Sequence, residues 1–275
     1  MSMKKQIALV MLALAAASAL GCGRDSVVTK PSSVNYEMRT FRKSLPGCPA
    51  EKDSNCVVVE VEYPEITSTG QPAVKDKINQ VLLSAILAPI EKKGQIFTVE
   101  DLAQQVIGAY QEIRQKSPDY TRPWVLRRTA RVQHQTGVLL SVIFQEETQT
   151  GAGNPNSTLM YVNFWTASGE PVLLQDILVQ GSEEKLLKSA EAHFRRLKKL
   201  GPADSLTKAG FWFDNDKFRL SQNYGFGKDA ITFYYNAFEI APYAMGSTSL
   251  SIPYAELQGV LRDEVLSQDA ANPSR

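Results

Sequence analysis

The amino-terminal 22 residues set the conditions under which the rest of this chain folds. Lys4 and Lys5 precede an apolar run over residues 7–17, and Ser18-Ala19-Leu20-Gly21-Cys22 ends it with small side chains. A basic start, an apolar stretch and a small-residue cleavage site together make an export signal. The run falls short of the roughly 20 apolar residues that cross a bilayer comfortably. Residues 1–21 therefore read as a signal peptide, residues 22–33 as a polar tether, and folding starts near Val34. Cleavage after residue 21 leaves 254 residues with 28 basic and 29 acidic side chains, a net charge of −1 in place of +1. Such near-neutrality excludes electrostatic binding of nucleic acid as the default activity, and 43% apolar residues suffice for a packed core.

Cys22 directly follows Gly21, a placement that resembles the lipobox of bacterial lipoproteins, although Ala19 stands where Leu is commoner. The resemblance implies that Cys22 is acylated, with palmitate-type chains, and becomes the mature amino terminus. Two or more acyl chains hold a protein stably on a membrane, so the expected location is the bacterial envelope, facing the periplasm or the exterior. With Cys22 lipidated, Cys48 and Cys56 remain as a pair. In an exported protein a pair so spaced reads as a disulfide closing a short loop. The flanking segments 34–44 and 57–63 alternate in polarity, so the disulfide is expected at the tip of an antiparallel hairpin.

Further along, Pro72 opens a helical pattern carried by Val74, Ile78, Val81, Leu82, Ala85 and Ile86, and Thr98 caps a second through Asp101. Segments 124–135 and 138–145 read as strands joined at Thr136-Gly137. The Gly-, Asn- and Pro-rich stretch 150–156 reads as a boundary between two subdomains, 34–150 and 157–266. In the second, a strand is expected over 159–165 and a helix capped by Ser182, with Glu183 and Glu184 at its start and Arg195, Arg196, Lys198 and Lys199 near its end, matching the helix dipole. Short strands follow over 211–213, 218–223, 230–236 and 247–252, then a last helix over 254–265. This order predicts an α+β fold of two small subdomains, each a mostly antiparallel sheet with helices packed on it.

Catalytic constellations are sparse. The two histidines, His134 and His193, lie far apart in sequence, and both read as surface residues. Ser205-Leu206-Thr207-Lys208 has the spacing of a serine nucleophile and its lysine, but the companion elements of that class are missing, so it reads as a loop. Gly225-Phe226-Gly227 lacks the third glycine of a dinucleotide loop. Adjacent carboxylates such as Glu146-Glu147 and Glu183-Glu184 do not face each other as a hydrolytic pair. No cofactor and no metal are expected. Two features stand out. Between Gln135 and Glu184 there is no Lys or Arg, and six acidic residues give the stretch a charge of −6; it reads as a solvated face or as a surface that steers a cationic partner. Aromatic residues also crowd the second half, most of them as core, with any exposed Tyr or Trp available for an interface or for stacking on sugar rings.

The run Ile231-Thr232-Phe233-Tyr234-Tyr235-Asn236-Ala237-Phe238-Glu239-Ile240-Ala241-Pro242-Tyr243-Ala244-Met245-Gly246, with Leu250-Ser251-Ile252-Pro253-Tyr254-Ala255-Glu256-Leu257, resembles the extracytoplasmic domain of RsiV-type anti-sigma factors. The same domain accompanies some peptidoglycan deacetylases, and its companion domain is similar to Tyr63-Pro64-Glu65-Ile66 and the helix after it. The resemblance implies an α+β receptor that binds lysozyme. Signalling and deacetylation do not carry over, because the sigma-binding segment and the metal-ligating Asp and His residues of those relatives have no counterpart here. The expectation is a lipid-anchored, non-catalytic envelope module for lysozyme or peptidoglycan, binding through Phe238, Glu239, Pro242 and Tyr243. The competing readings are a peptidoglycan-active hydrolase with a carboxylate pair drawn from distant segments, and a structural envelope protein.

Overall fold

The computed structural model describes residues 33–48, 56–89, 95–150 and 155–267. Residues 1–32, which hold the expected signal segment, Cys22 and all but the last residue of the expected tether, lie outside them. The fold is α+β, built on two sheets. The first has five strands in the order β1 (Asn35–Ser44), β2 (Val57–Ser68), β3 (Trp124–Gln135), β4 (Leu139–Gln149) and β5 (Asn156–Trp165). The second has three: β6 (Tyr224–Phe226), β7 (Ala230–Tyr235) and β8 (Thr248–Pro253).

The β1–β2 hairpin forms in antiparallel register, and Cys48 bonds Cys56 across its end with the two Cα atoms 5.5 Å apart. Between β2 and β3 run α1 (Pro72–Ile86) and α2 (Val99–Lys116), and this helical crossover makes β2 and β3 parallel neighbours. Pro72 sits in the first turn of α1, where its missing N–H costs no hydrogen bond. At α2, Thr98 Oγ1 accepts from the Asp101 N–H, and the Asp101 carboxylate accepts in return from the Thr98 N–H, so the capping box is complete. Ile78, Leu82, Leu102 and Tyr110 from the two helices are fully buried against the sheet.

The glycine-rich stretch before β5 joins two paired strands and is no boundary. β5 pairs with β4 along its whole length, from Leu139↔Trp165 to Thr148↔Asn156, and so completes the first sheet. The division falls after it. A second core is built around α4 (Glu183–Leu197), which follows the single turn α3 (Leu174–Ile177), and the sheet β6–β8. Ser182 stands at the N-cap of α4 without capping it: its Oγ lies 2.6 Å from Val179 O and 2.8 Å from Val260 O, tying the helix start to the chain's end. Segments 211–213 and 218–223 form no strand, although burial alternates at Phe211, Trp212 and Phe213. The expected last helix is interrupted. A 3-10 turn (Tyr254–Leu257) and the short α5 (Asp263–Leu266) are separated by Gly259, which takes a left-handed φ of 68°.

The two units meet along β5. Asn223 and Asn236 turn their amides onto its outer edge: Asn236 Oδ1 accepts from Leu159 N at 2.7 Å, Asn223 Oδ1 accepts from Tyr161 N at 2.8 Å, and both Nδ2 groups donate to Leu159 O. Beneath them, buried Ser141 donates to Asn163 Oδ1 and accepts from Phe226 N, while Asn163 Nδ2 donates to Tyr224 O. β6 lies so close that a Cβ on Gly225 would stand 2.1 Å from the Tyr161 ring. The Gly-Phe-Gly segment is thus a strand whose glycine admits a neighbouring side chain.

Candidate functional site

The carboxylates of the basic-free stretch do not form a negative field. β3 supplies the missing cations across the ladder. Arg127 stands opposite Glu147 and Glu60 in register and bonds both, at 2.7 and 2.9 Å, and Glu60 also accepts from Arg42 at 2.8 Å, so charges alternate in sign across β1–β4. Buried Arg128 binds Glu146 at 2.7 Å and also donates to Ile86 O. Glu170 pairs with Lys77, and Glu184 with Lys188. The surface expected to attract a cationic partner is therefore largely self-neutralised.

Ser205 and Lys208 lie in one turn, where the Lys208 backbone N–H donates to Ser205 Oγ. His193 binds Glu256 at 2.8 Å, and this bond holds the Glu256 carboxyl below its ordinary range. His134 is half-buried, and desolvation lowers its pKa. Among the described residues no three His, Cys, Asp or Glu side chains group as a metal site. A broad groove of about 610 Å³ runs beside α1, lined by Asp76, Asn79, Leu83 and Phe97 among others, with Asp76 its one ionisable side chain among the described lining residues.

The residues expected to bind a partner come together in a different arrangement. Phe238 and Tyr243 are exposed, with ring centroids 5.3 Å apart and planes inclined by 33°. A third ring joins them. Trp212 lies 6.4 Å from Phe238 with planes only 23° apart, and Met245 stands exposed on the same loop. Relative exposures of 50%, 55% and 42% for Trp212, Phe238 and Tyr243 set these rings apart from their neighbours in sequence, Phe211 and Phe213, which are buried. The sequence reading missed Trp212. The signal was present in the Phe-Trp-Phe alternation, which sends the middle ring outward wherever its two neighbours enter a core.

Backbone and side-chain bonds fix the loop that carries these rings. Trp212 N donates to Ile240 O at 2.7 Å, joining the two segments. Glu239 is half-buried, and its carboxylate accepts from Asn236 N at 2.9 Å, which buttresses the loop. Pro242 starts a 3-10 turn (Tyr243–Met245), and Tyr243 Oη donates to Pro155 O at the start of β5. Asn236, which seals β5, anchors the same loop at its other end. Phe238 has φ 65°, a left-handed conformation that is rare for a bulky side chain.

All of these residues except Pro155 fall in one recognisable stretch. Residues 175–255 match the family model DUF3298, described as a protein of unknown function. No curated protein matches the chain. Among solved structures, a DUF3298 family protein from Pseudomonas aeruginosa PAO1 is similar at 22% identity and TM-score 0.58, covering 85% of this chain and 96% of that one. A DUF3298 family member from Bacteroides fragilis NCTC 9343 is similar at 20% identity and TM-score 0.67, covering 88% of this chain and 99% of that one. At these identities the likeness establishes a shared fold. It extends beyond the DUF3298 stretch to both sheets.

Proposed function

We propose that this protein is a lipid-anchored binding module of the bacterial envelope that acts without catalysis, holding peptidoglycan or lysozyme on its DUF3298 stretch. The observation that carries the reading is the exposed ring cluster Trp212–Phe238–Tyr243 on a loop pinned at both ends. Exposed, rigidly held aromatic residues are the usual anchors of binding surfaces, because they present large area at little entropic cost. The export signal and Cys22 support an envelope location, and the Cys48–Cys56 disulfide suits an oxidising compartment. Two measurements test the reading. The full chain expressed in a bacterium incorporates labelled palmitate and partitions with membranes, and Cys22→Ser abolishes both. The purified chain in detergent micelles is retained on peptidoglycan sacculi or on immobilised lysozyme at moderate salt; retention on neither refutes the binding role.

A further inference from the structure

The ring cluster also bears on which kind of ligand is held. Taking 150–250 Å² per aromatic side chain, the exposures of Trp212, Phe238 and Tyr243 amount to roughly 300 Å² of aromatic surface. A stable protein interface needs about 800 Å² from each partner, so these rings supply well under half of one. They are sufficient for a few sugar rings. Stacking on a pyranose uses an aromatic face and needs no charge, and the three adjoining rings, with centroids 6.4 and 5.3 Å apart, each keep about half their surface in solvent. Two carboxylates close to them in sequence are already engaged with backbone N–H groups, Glu239 with Asn236 and Asp216 with Thr207. Four of the six carboxylates of the acidic stretch are paired with Arg127, Arg128, Lys77 and Lys188, so that stretch offers a cationic protein only a weakened field.

Phe238 adds an independent observation. A left-handed backbone is unfavourable at a bulky residue, and Asn or Gly would adopt it more cheaply. The ring returns nothing to the core, being the most exposed of the three. A strained position that displays an aromatic ring to solvent is explained by what the ring contacts outside the chain.

We propose that Trp212, Phe238 and Tyr243 form a stacking platform for a β-linked amino-sugar glycan, with Trp212 the principal contact. This rests on the envelope-binding reading above and narrows it to one ligand class. The test uses the full chain in detergent micelles, titrated with chito-oligosaccharides and followed by tryptophan fluorescence and calorimetry. Of the three tryptophans Trp212 is half exposed, Trp124 is buried and Trp165 is partly buried on β5, so sugar stacking at the ring cluster should change the Trp212 emission, and Trp212→Ala should abolish that change. Trp212→Ala and Phe238→Asn should each weaken binding about tenfold or more, as for removal of a central aromatic anchor, while melting temperatures stay close to that of the parent. Phe238→Asn removes the ring yet keeps the left-handed backbone, so a loss of binding with it cannot be ascribed to misfolding. Failure of the oligosaccharides to bind, or equal binding by parent and variants, overturns the platform. If lysozyme is retained and both variants abolish that retention while sugars do not bind, the ligand class is wrong and the module still binds. Retention on neither lysozyme nor sacculi removes both proposals.

Discussion

Two aromatic clusters lie a few residues apart in this chain and have opposite environments. Around Phe194 on α4, the rings of Phe211, Phe213, Phe218 and Tyr235 are buried with centroids 5.0–6.4 Å away, mostly in edge-on contact. Trp212, Phe238 and Tyr243 are half exposed, and their planes lie closer to parallel. Phe211 and Phe213 belong to the first group, and Trp212 between them belongs to the second. Edge-to-face and offset-stacked contacts both satisfy ring quadrupoles, so exposure is what separates the clusters: the inner rings are enclosed by one another and the outer ones keep about half their surface in solvent. The difference separates aromatic residues that hold the fold from those that serve it, within a single tripeptide.

Substitutions should separate the clusters by the size of their effects. The largest belongs to Phe194→Ala, which empties the centre of the second core; denaturant unfolding should show a loss of about 3–5 kcal/mol. Alkali should act next. Burial raises the pKa of Tyr224, Tyr235 and Tyr254, so folding favours their neutral forms. That contribution is complete below the ordinary tyrosine value of 10 and is lost as pH rises above it, at up to about 1.4 kcal/mol per pH unit for each ring. Phenolate absorbance should therefore show these three titrating only with unfolding; their ionisation in the native state would break the distinction.

A smaller loss is expected of Tyr235→Phe. Its Oη donates to Arg219 O at 2.7 Å and accepts from Ser221 N, and deletion leaves both without it, costing about 1–3 kcal/mol in thermal or denaturant unfolding. The least effect belongs to the exposed cluster: Trp212→Ala should shift stability by no more than about 0.5 kcal/mol. A loss there comparable to that at Phe194 would show the outer rings to be core as well, and the comparison would collapse.

Local signals in the sequence were the more readable ones. Pro72, the Thr98–Asp101 box, the Thr136-Gly137 turn and the Cys48–Cys56 hairpin depend on neighbours within a few positions, and each forms as the residue types require. What escaped reading depends on distant partners. β5 joins the first sheet because β4 is beside it, and no property of residues 150–156 reports that choice. β6 looked like a broken phosphate loop, because its glycine serves the Tyr161 ring brought over from β5. The break in the last helix was legible in Gly259 and was missed. At the candidate site, Phe238, Glu239 and Tyr243 share one segment, Glu239 bracing its backbone, whereas Trp212 arrives from 26 positions away from Phe238.

The asparagine amides on β5 have a further bearing on how copies of this chain behave when crowded together. A sheet with two bare edges can add strands indefinitely, and that is how fibres grow. Here Asn223 and Asn236 occupy donors and acceptors along one side, as the backbone of a sixth strand would. Within the five-stranded sheet β1 is the other edge, and growth that starts there cannot continue across the side of β5 that the asparagine amides close. Edge-to-edge association through the five-stranded sheet therefore terminates at a pair.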